Sequence, residues 1–318
     1  MKKLILSAIM AAGTLGAFAA DPDVATVYYI KDITPENLVK IYKALGREAH
    51  GNVAVKISTG ESNKSNHLDP NLIQPLVSLV NGTLVECNTA YNGNRNDTER
   101  SYRTAKDHGY TDIAKVDIMD GEGEVKLPVT GGKHLEYDIV GKNWLDYDFT
   151  IILSHFKGHQ MGGFGGALKN ISIGMASSDG KTYIHTAGKT ADHNEIWGNI
   201  PAENEPFLES MAEACQAVLN KAGDDILYIN VANRLSVDCD CNGDPAQPKM
   251  GDLGIYASLD PVALDQACVD AVFNSTDPGK GDLVERINSR HATHILSYAP
   301  TIGVGTRNYR LVDLSEEK

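Results

Sequence analysis

Several common enzyme signatures are missing from this 318-residue chain. It has no G-x-S-x-G nucleophile elbow, no Walker A phosphate loop, no H-E-x-x-H zinc helix and no G-x-G-x-x-G dinucleotide fingerprint. The five cysteines, Cys87, Cys215, Cys239, Cys241 and Cys268, make no C-x-x-C pair and no ferredoxin-like run. Their odd number leaves at least one unpaired by an internal disulfide. Positive charge is also short: 29 Lys and Arg stand against 42 Asp and Glu, a formal net charge of −13. An acidic chain of this kind is poorly suited to nucleic acid or anionic lipid. There is no internal repeat, low-complexity run or Pro/Ser linker, and no long apolar stretch beyond the amino terminus.

That terminus reads as a secretory signal over residues 1–20. Lys2 and Lys3 precede an apolar run from Leu4 to Phe18, and Ala17-Phe18-Ala19 supplies a small-x-small cleavage signal. The run is short for a bilayer, and no cysteine follows it to carry a lipid anchor. The expected product is a periplasmic or secreted protein with no membrane span after cleavage. Residues 21–318 are long enough for a large core and read as one compound α/β domain.

Short apolar strands alternate with helices along the rest of the chain. Strands are expected at 25–29, 53–57, 83–87, 116–119, 135–140, 150–153, 226–231 and 253–257, where β-branched and aromatic residues cluster. Helices are expected from Thr34-Pro35, over 70–80, 99–108 and 205–219, and from Asp260-Pro261, where Asp260 is placed as an N-cap. Two short elements near Val284 and Ile295 finish the chain. The pattern implies an α/β fold: a parallel or mixed sheet with helices on both faces, with room for two α/β subdomains around a composite site. The polar loops all follow apolar strands, so in a parallel sheet they gather on one edge.

The stretch with most chemistry is 150–174. A buried strand runs into His155, Lys157 and His159, then Gly162, Gly163, Gly165 and Gly166, then Lys169 and Asn170. Imidazoles can hold a metal or move protons, while lysines and bare backbone N–H groups hold anions. A short helix beginning near Lys169 and Asn170 would add its N-terminus to the anion preference. The bland alternative is a tight loop whose glycines serve positive φ and whose histidines bond backbone. His155, His159, Lys169 and His185 are the catalytic candidates, and Glu61, His67, Lys157, Gly165, Gly166 and Asn170 the ligand-binding ones. Asp238-Cys239-Asp240-Cys241 lies beyond the strand at 226–231. Cys239 and Cys241, with His155 and His159, are the candidate metal ligands; a disulfide or redox pair and plain packing are the alternatives.

The segments Ser154–Asn170 (S-H-F-K-G-H-Q-M-G-G-F-G-G-A-L-K-N), Asp238–Cys241 (D-C-D-C) and Asp252–Cys268 resemble the domain-of-unknown-function family 362, whose members are labelled iron–sulfur centre proteins. G-V-G-T-R-N-Y near the end adds to the match. Many relatives carry a ferredoxin-type insert after the glycine loop. Here Tyr183–Pro201 holds His185 and His193 but no cysteine, so a ferredoxin-type iron–sulfur cluster is not supported. A remote similarity links His159, Lys169 and His185, in that order, to the lactate racemase family, which binds a nickel pincer cofactor. That likeness implies a shared α/β architecture and site location. The cofactor itself stays unassigned, with a metal ion among the options. The partner expected is a small anionic ligand or a metal ion. The chemistry expected is an isomerase-like proton transfer beside a carboxylate, with a non-catalytic metal-binding or delivery protein as the alternative.

Overall fold

The computed structural model describes residues 24–315. The expected signal peptide lies outside the described residues. Twelve strands are present among them: β1 (Ala25–Ile30), β2 (Val53–Lys56), β3 (Thr83–Glu86), β4 (Val116–Ile118), β5 (Glu124–Pro128), β6 (Tyr137–Gly141), β7 (Phe149–His155), β8 (Lys157–His159), β9 (Gly163–Gly165), β10 (Ile226–Ala232), β11 (Gly254–Ser258) and β12 (Tyr309–Asp313). Eight of them form one sheet in the order β12-β1-β11-β10-β7-β2-β3-β4. β11 is antiparallel to both its neighbours and every other pairing is parallel, so seven strands run one way. The mixed sheet expected from the alternation is therefore what forms.

Helices cover both faces. α1 (Pro35–Ala44), α2 (Pro70–Leu79) and α3 (Thr98–Asp107) precede the central strand in the chain. Leu38 and Ile41 of α1, Ile73 and Leu76 of α2 and Ala105 of α3 share a core with Val55, Ile151, Leu153 and Ile229. On the opposite face lie α4 (Ala167–Met175), α5 (Ser178–His185), the short α6 (Ile196–Asn199), α7 (Glu205–Ala222), α8 (Pro261–Asn274), α9 (Gly281–Ser289) and α10 (His294–Tyr298). Leu168, Ile171, Phe207, Met211 and Val262 pack there with Ile152 and Tyr228. Alternate residues of β7 thus feed alternate cores, and all seven are buried. Each such aliphatic side chain contributes about 1.5–3 kcal/mol by leaving water.

Caps follow the local sequence. Thr34 accepts from the Asn37 N–H ahead of Pro35, and Asp260 accepts from Val262 and Ala263 ahead of the α8 helix, each cap being worth about 1 kcal/mol. Besides β8, β9 and the short α6, three elements are not in the sequence expectation. β5 forms a hairpin with β6, β12 adds to the sheet edge beside β1, and α5 occupies a stretch read only as polar. β5 and β12 are short edge elements with several exposed residues, so neither shows the apolar run used to find strands.

What this topology does for the site is direct. β10, β7, β2 and β3 are adjacent and parallel. The loops after them, 233–253, 156–166, 57–69 and 87–97, leave from the same edge. That is where open α/β sheets place ligands.

Candidate active site

The site is held by a buried clamp. His155 ends β7, and its Nδ1 donates to Asp240 Oδ1 at 2.9 Å while its Nε2 donates to the Asn233 carbonyl at 2.6 Å. Both ring nitrogens face oxygen acceptors, so the ring satisfies both only as an imidazolium. Lys157 Nζ donates to Asp240 Oδ2 and to the His155 carbonyl, each at 2.9 Å. Burial alone would raise the Asp240 carboxyl, but His155 and Lys157 outweigh it and hold the group well below the usual carboxylate range. The Asp240 carbonyl also accepts from the Glu61 N–H at 2.9 Å. Three of the four loops are pinned together through one residue.

β8 and β9 then form a small antiparallel hairpin. Gly158 lies against the Val237 backbone, which a Cβ would overlap. Gly166 sits against the Asp265 carboxylate in the same manner. Asp265 accepts from the Ala167 and Leu168 N–H groups at 2.8 and 2.9 Å. The N-terminus of α4 is therefore already occupied by a carboxylate of α8 and is not open to an anionic ligand.

Between the loops lies a cavity of about 520 Å³. Its floor is an ion chain: Lys56 Nζ to Glu86 Oε1 at 2.8 Å, Arg95 to Glu86 Oε2 at 3.0 Å, and Arg95 Nε to Glu61 Oε2 at 3.1 Å. Burial would raise the Glu86 carboxyl, yet Lys56 and Arg95 bring it down to about 2. Lys56 also donates to the Ile57 carbonyl and to Asn170 Oδ1. Asn170 in turn donates to the Lys56 carbonyl and Ser154 Oγ, tying β2 to β7. Two cations and two anions cancel here, and their donors are largely spent on one another. This is a rigid polar floor.

The uncommitted charge belongs to Lys169 and Lys181. Lys181 Nζ donates to the Ala176 carbonyl at 2.6 Å and has two further hydrogens. Burial lowers its pKa. The Lys169 side-chain amine makes no hydrogen bond to any described residue. Burial first, then Lys157 and Lys56, push its ammonium down to about 7.

Two imidazoles share the cavity with Lys169, and the backbone holds them in opposite tautomers. His159 Nδ1 accepts the Gly162 N–H at 2.8 Å, so its proton sits on Nε2. His185 Nδ1 faces the Lys181 carbonyl at 2.6 Å and must donate, so its Nε2 is the bare nitrogen. Both rings are neutral at pH 7. Burial, then Lys169, keep His159 well below the ordinary histidine value. Burial likewise brings His185 to about 4, with the Lys181 carbonyl bond only partly opposing it. One ring therefore donates where the other accepts.

Sulfur lies beside this pair. Cys239 and Cys241 are joined in a disulfide. Their sulfurs and a nitrogen of His159 lie within 4.8 Å of one another, a candidate metal-ligand group. Disulfide sulfurs carry no thiolate, so the group fits a metal only after reduction, and His159 would join it only by giving up the bond from the Gly162 N–H. Reduction would supply two thiolates and an imidazole. A ferredoxin-type cluster takes four thiolates, and the other three cysteines are buried; Cys87 and Cys215 donate to the Met175 and Leu168 carbonyls.

The structure brings Glu61, His159, Lys169, Asn170, His185 and Cys241 to the cavity wall. His155 and Lys157 lie beneath it in the clamp, and Gly165, Gly166 and Cys239 do not line it. His67 stacks on His108 with ring centroids 4.1 Å apart, outside the cavity. Burial, then His108, push His67 down to about 4. Sequence reasoning missed Lys56, Glu86 and Lys181, and left the role of Asp265 open. The signal for the first two was a lone charge closing each of the short apolar strands V-A-V-K and T-L-V-E. A wider depression of about 750 Å³ opens at the opposite sheet edge around Asn52, Asn81 and Asp117, and no histidine or cysteine lines it.

The fold and site define an α/β protein with a cationic, imidazole-lined cavity at the carboxyl edge of its parallel strands. A family model described as "Domain of unknown function (DUF362)" matches residues 53–270, and the chain belongs to that family. No curated protein sequence matches it. Among the solved structures similar to it are two that share its α/β fold. One is a protein of Thermotoga maritima, 15% identical, with a TM-score of 0.44 over 76% of this chain and 60% of that one. This chain thus spans less than two thirds of that protein's length. The other is the lactate racemase apoprotein of Thermoanaerobacterium thermosaccharolyticum, 12% identical, with a TM-score of 0.42 over 93% of this chain and 84% of that one. At these TM-scores neither similarity bears on function.

Proposed function

We propose that the protein is an enzyme that binds a small carboxylate in this cavity and moves a proton at the adjacent carbon. The observation that carries the reading is the pair of neutral imidazoles in opposite tautomers around an unbonded Lys169 amine. Lys181, with two unspent donors, attracts the carboxylate. Lys169, titrating at about 7, is matched to a general base near neutrality. His159 presents Nε2–H to the oxygen on which charge develops, as a neutral donor in a buried site. His185 Nε2 is a second acceptor. A cation beside a metal ion repels it, so Lys169 in the same cavity supports an enzyme over a metal carrier.

Proton NMR in D₂O tests this. Small 2-hydroxy and 2-amino carboxylates incubated with the protein should lose their Cα–H signal, and Lys169→Met should slow that loss at least a hundredfold, within the range for a lost general base. Exchange in the wild type no faster than in buffer would overturn the reading.

A second reading rests on the sulfur–imidazole group. In the reduced protein Cys239, Cys241 and His159 would hold a metal ion at the cavity wall, and the ion would supply Lewis-acid chemistry there. The Cys239–Cys241 bridge supports an oxidising compartment, and with it export.

A further inference from the structure

The cavity has a second chemistry that proton transfer on a small carboxylate does not use. Its volume of about 520 Å³ falls within the range for drug-sized ligands, about 300–1,000 Å³. A three-carbon acid would leave most of it open. Beside the cationic groups, the wall is built from Ala90, Tyr91, Met161, Ile173, Ile196 and Trp197. Ile196 is buried at 2% exposure and anchors the four-residue helix α6, while its neighbour Trp197 is 68% exposed. Trp197 is the most exposed of the large hydrophobic side chains among the described residues, and no other exposed one lines this cavity. A tryptophan has no reason to hang at a polar mouth for packing, because it packs on little there. It offers a broad face to whatever enters.

We infer that the ligand is a carboxylate bearing an aromatic or similarly bulky apolar arm, and that Trp197 is the specificity-determining residue that covers the arm. The inference rests on the carboxylate reading above and deepens it. The carboxylate goes to Lys181, with the Lys169 amine beside the adjacent carbon, and the arm lies along Tyr91, Met161 and Ile173 with the indole closing over it. Aromatic pairing adds to area burial in such a contact. Free of ligand, the indole stays in water.

The chain has two tryptophans, which makes the experiment direct. Trp144 is 4% exposed and its Nε1 donates to Thr150 Oγ1 at 2.9 Å, away from the cavity. Changes in emission on ligand addition therefore report Trp197. The purified full chain is titrated with 3-phenylpropanoate and with propanoate, by fluorescence and by calorimetry. 3-Phenylpropanoate should shift Trp197 emission to the blue, reduce its acrylamide quenching, and bind at least tenfold more tightly than propanoate. In Trp197→Ala that preference should collapse to twofold or threefold, and Trp197→Phe should restore part of it. Circular dichroism checks that both variants are folded. In Lys181→Met both acids should bind at least tenfold more weakly. If both acids bind the wild type equally, or Trp197 emission does not change, the apolar-arm inference falls and the carboxylate reading stands. If neither acid binds, both fall together.

Discussion

His155 and Asp240 meet side chain to side chain at 2.9 Å although 85 residues separate them in the chain, and each side chain is only 1% exposed. The contact joins the end of the central strand to the middle of the D-C-D-C segment. Lys157 takes the second carboxylate oxygen at 2.9 Å, so one anion faces two cations. Those two cations sit where a glycine-rich loop would otherwise be free to open. Asp240 lies between Cys239 and Cys241, and Cys241 lines the cavity, so the pair anchors one of its walls.

Replacing Asp240 with asparagine keeps the shape and removes the charge, leaving His155 and Lys157 buried without their counter-ion. Breaking such a pair costs about 3–5 kcal/mol. Urea melts at pH 7 should show that loss. The acid limb should change as well. Asp240 is held below its unfolded value, so its stabilisation is complete above about pH 4 and is lost as pH falls toward the folded pKa. Wild-type stability should therefore fall below about pH 4 more steeply than that of Asp240→Asn.

Lys169 should behave oppositely. Its folded value of about 7 lies below the ordinary lysine value of 10.5, so the folded state disfavours its proton. Stability is then reduced below pH 7 and recovers as pH rises toward the unfolded value. Lys169→Met should stabilise the fold at pH 6 by roughly 1–3 kcal/mol, while slowing proton exchange. Thermal melts at pH 6 and pH 10 check the sign, with the gain shrinking at the higher pH. A variant that melts lower than wild type at pH 6 would show that the ammonium is a structural partner instead.

Much of the site's location was legible because polar loops follow apolar strands, and parallel pairing sends them to one edge. Glu61, His159 and Lys169 were placed at that edge in this way, and His185 through the order it shares with the lactate racemase family; the structure lines one cavity with all four. What was not legible depends on partners distant in sequence. Asp265 reads as one more residue of an amphipathic helix, and nothing local says that it caps α4 almost a hundred residues earlier. The opposite tautomers of His159 and His185 come from where a turn N–H and a helix carbonyl point, which no side-chain pattern encodes. Gly165 and Gly166 looked like an anion cradle by composition. Gly166 is needed because Asp265 fills the space beside it.

Gly158 offers a test of how closely the hairpin must sit. Its N–H donates to the Ser236 carbonyl at 2.8 Å, and a Cβ would overlap the Val237 backbone, which has no side-chain freedom with which to yield. Gly158→Ala should cost about 1–3 kcal/mol by overpacking and should weaken carboxylate binding by lifting His159. Isothermal titration of the folded variant against the wild type measures the second effect separately from the first.

The Cys239–Cys241 bridge closes a loop of one intervening residue, so chain entropy assigns it only about 1–2 kcal/mol. Cys239→Ser with Cys241→Ser should therefore remain folded, with a small loss in urea melts. Metal affinity should separate the states far more. Oxidised wild type should bind no zinc at the cavity, because neither sulfur is a thiolate. After reduction with a phosphine, the two thiolates and His159 should take up one equivalent, releasing protons as the thiols ionise. His159→Ala should weaken that uptake, and the double serine variant should abolish it. Cobalt in place of zinc would give a thiolate charge-transfer band whose loss in each variant reports ligation directly. Zinc binding that is equal in oxidised and reduced protein would place the ion elsewhere. Full uptake without His159 would make the cysteines a two-sulfur site independent of the imidazole pair, leaving His159 as the Nε2–H donor that its contact with Gly162 already implies.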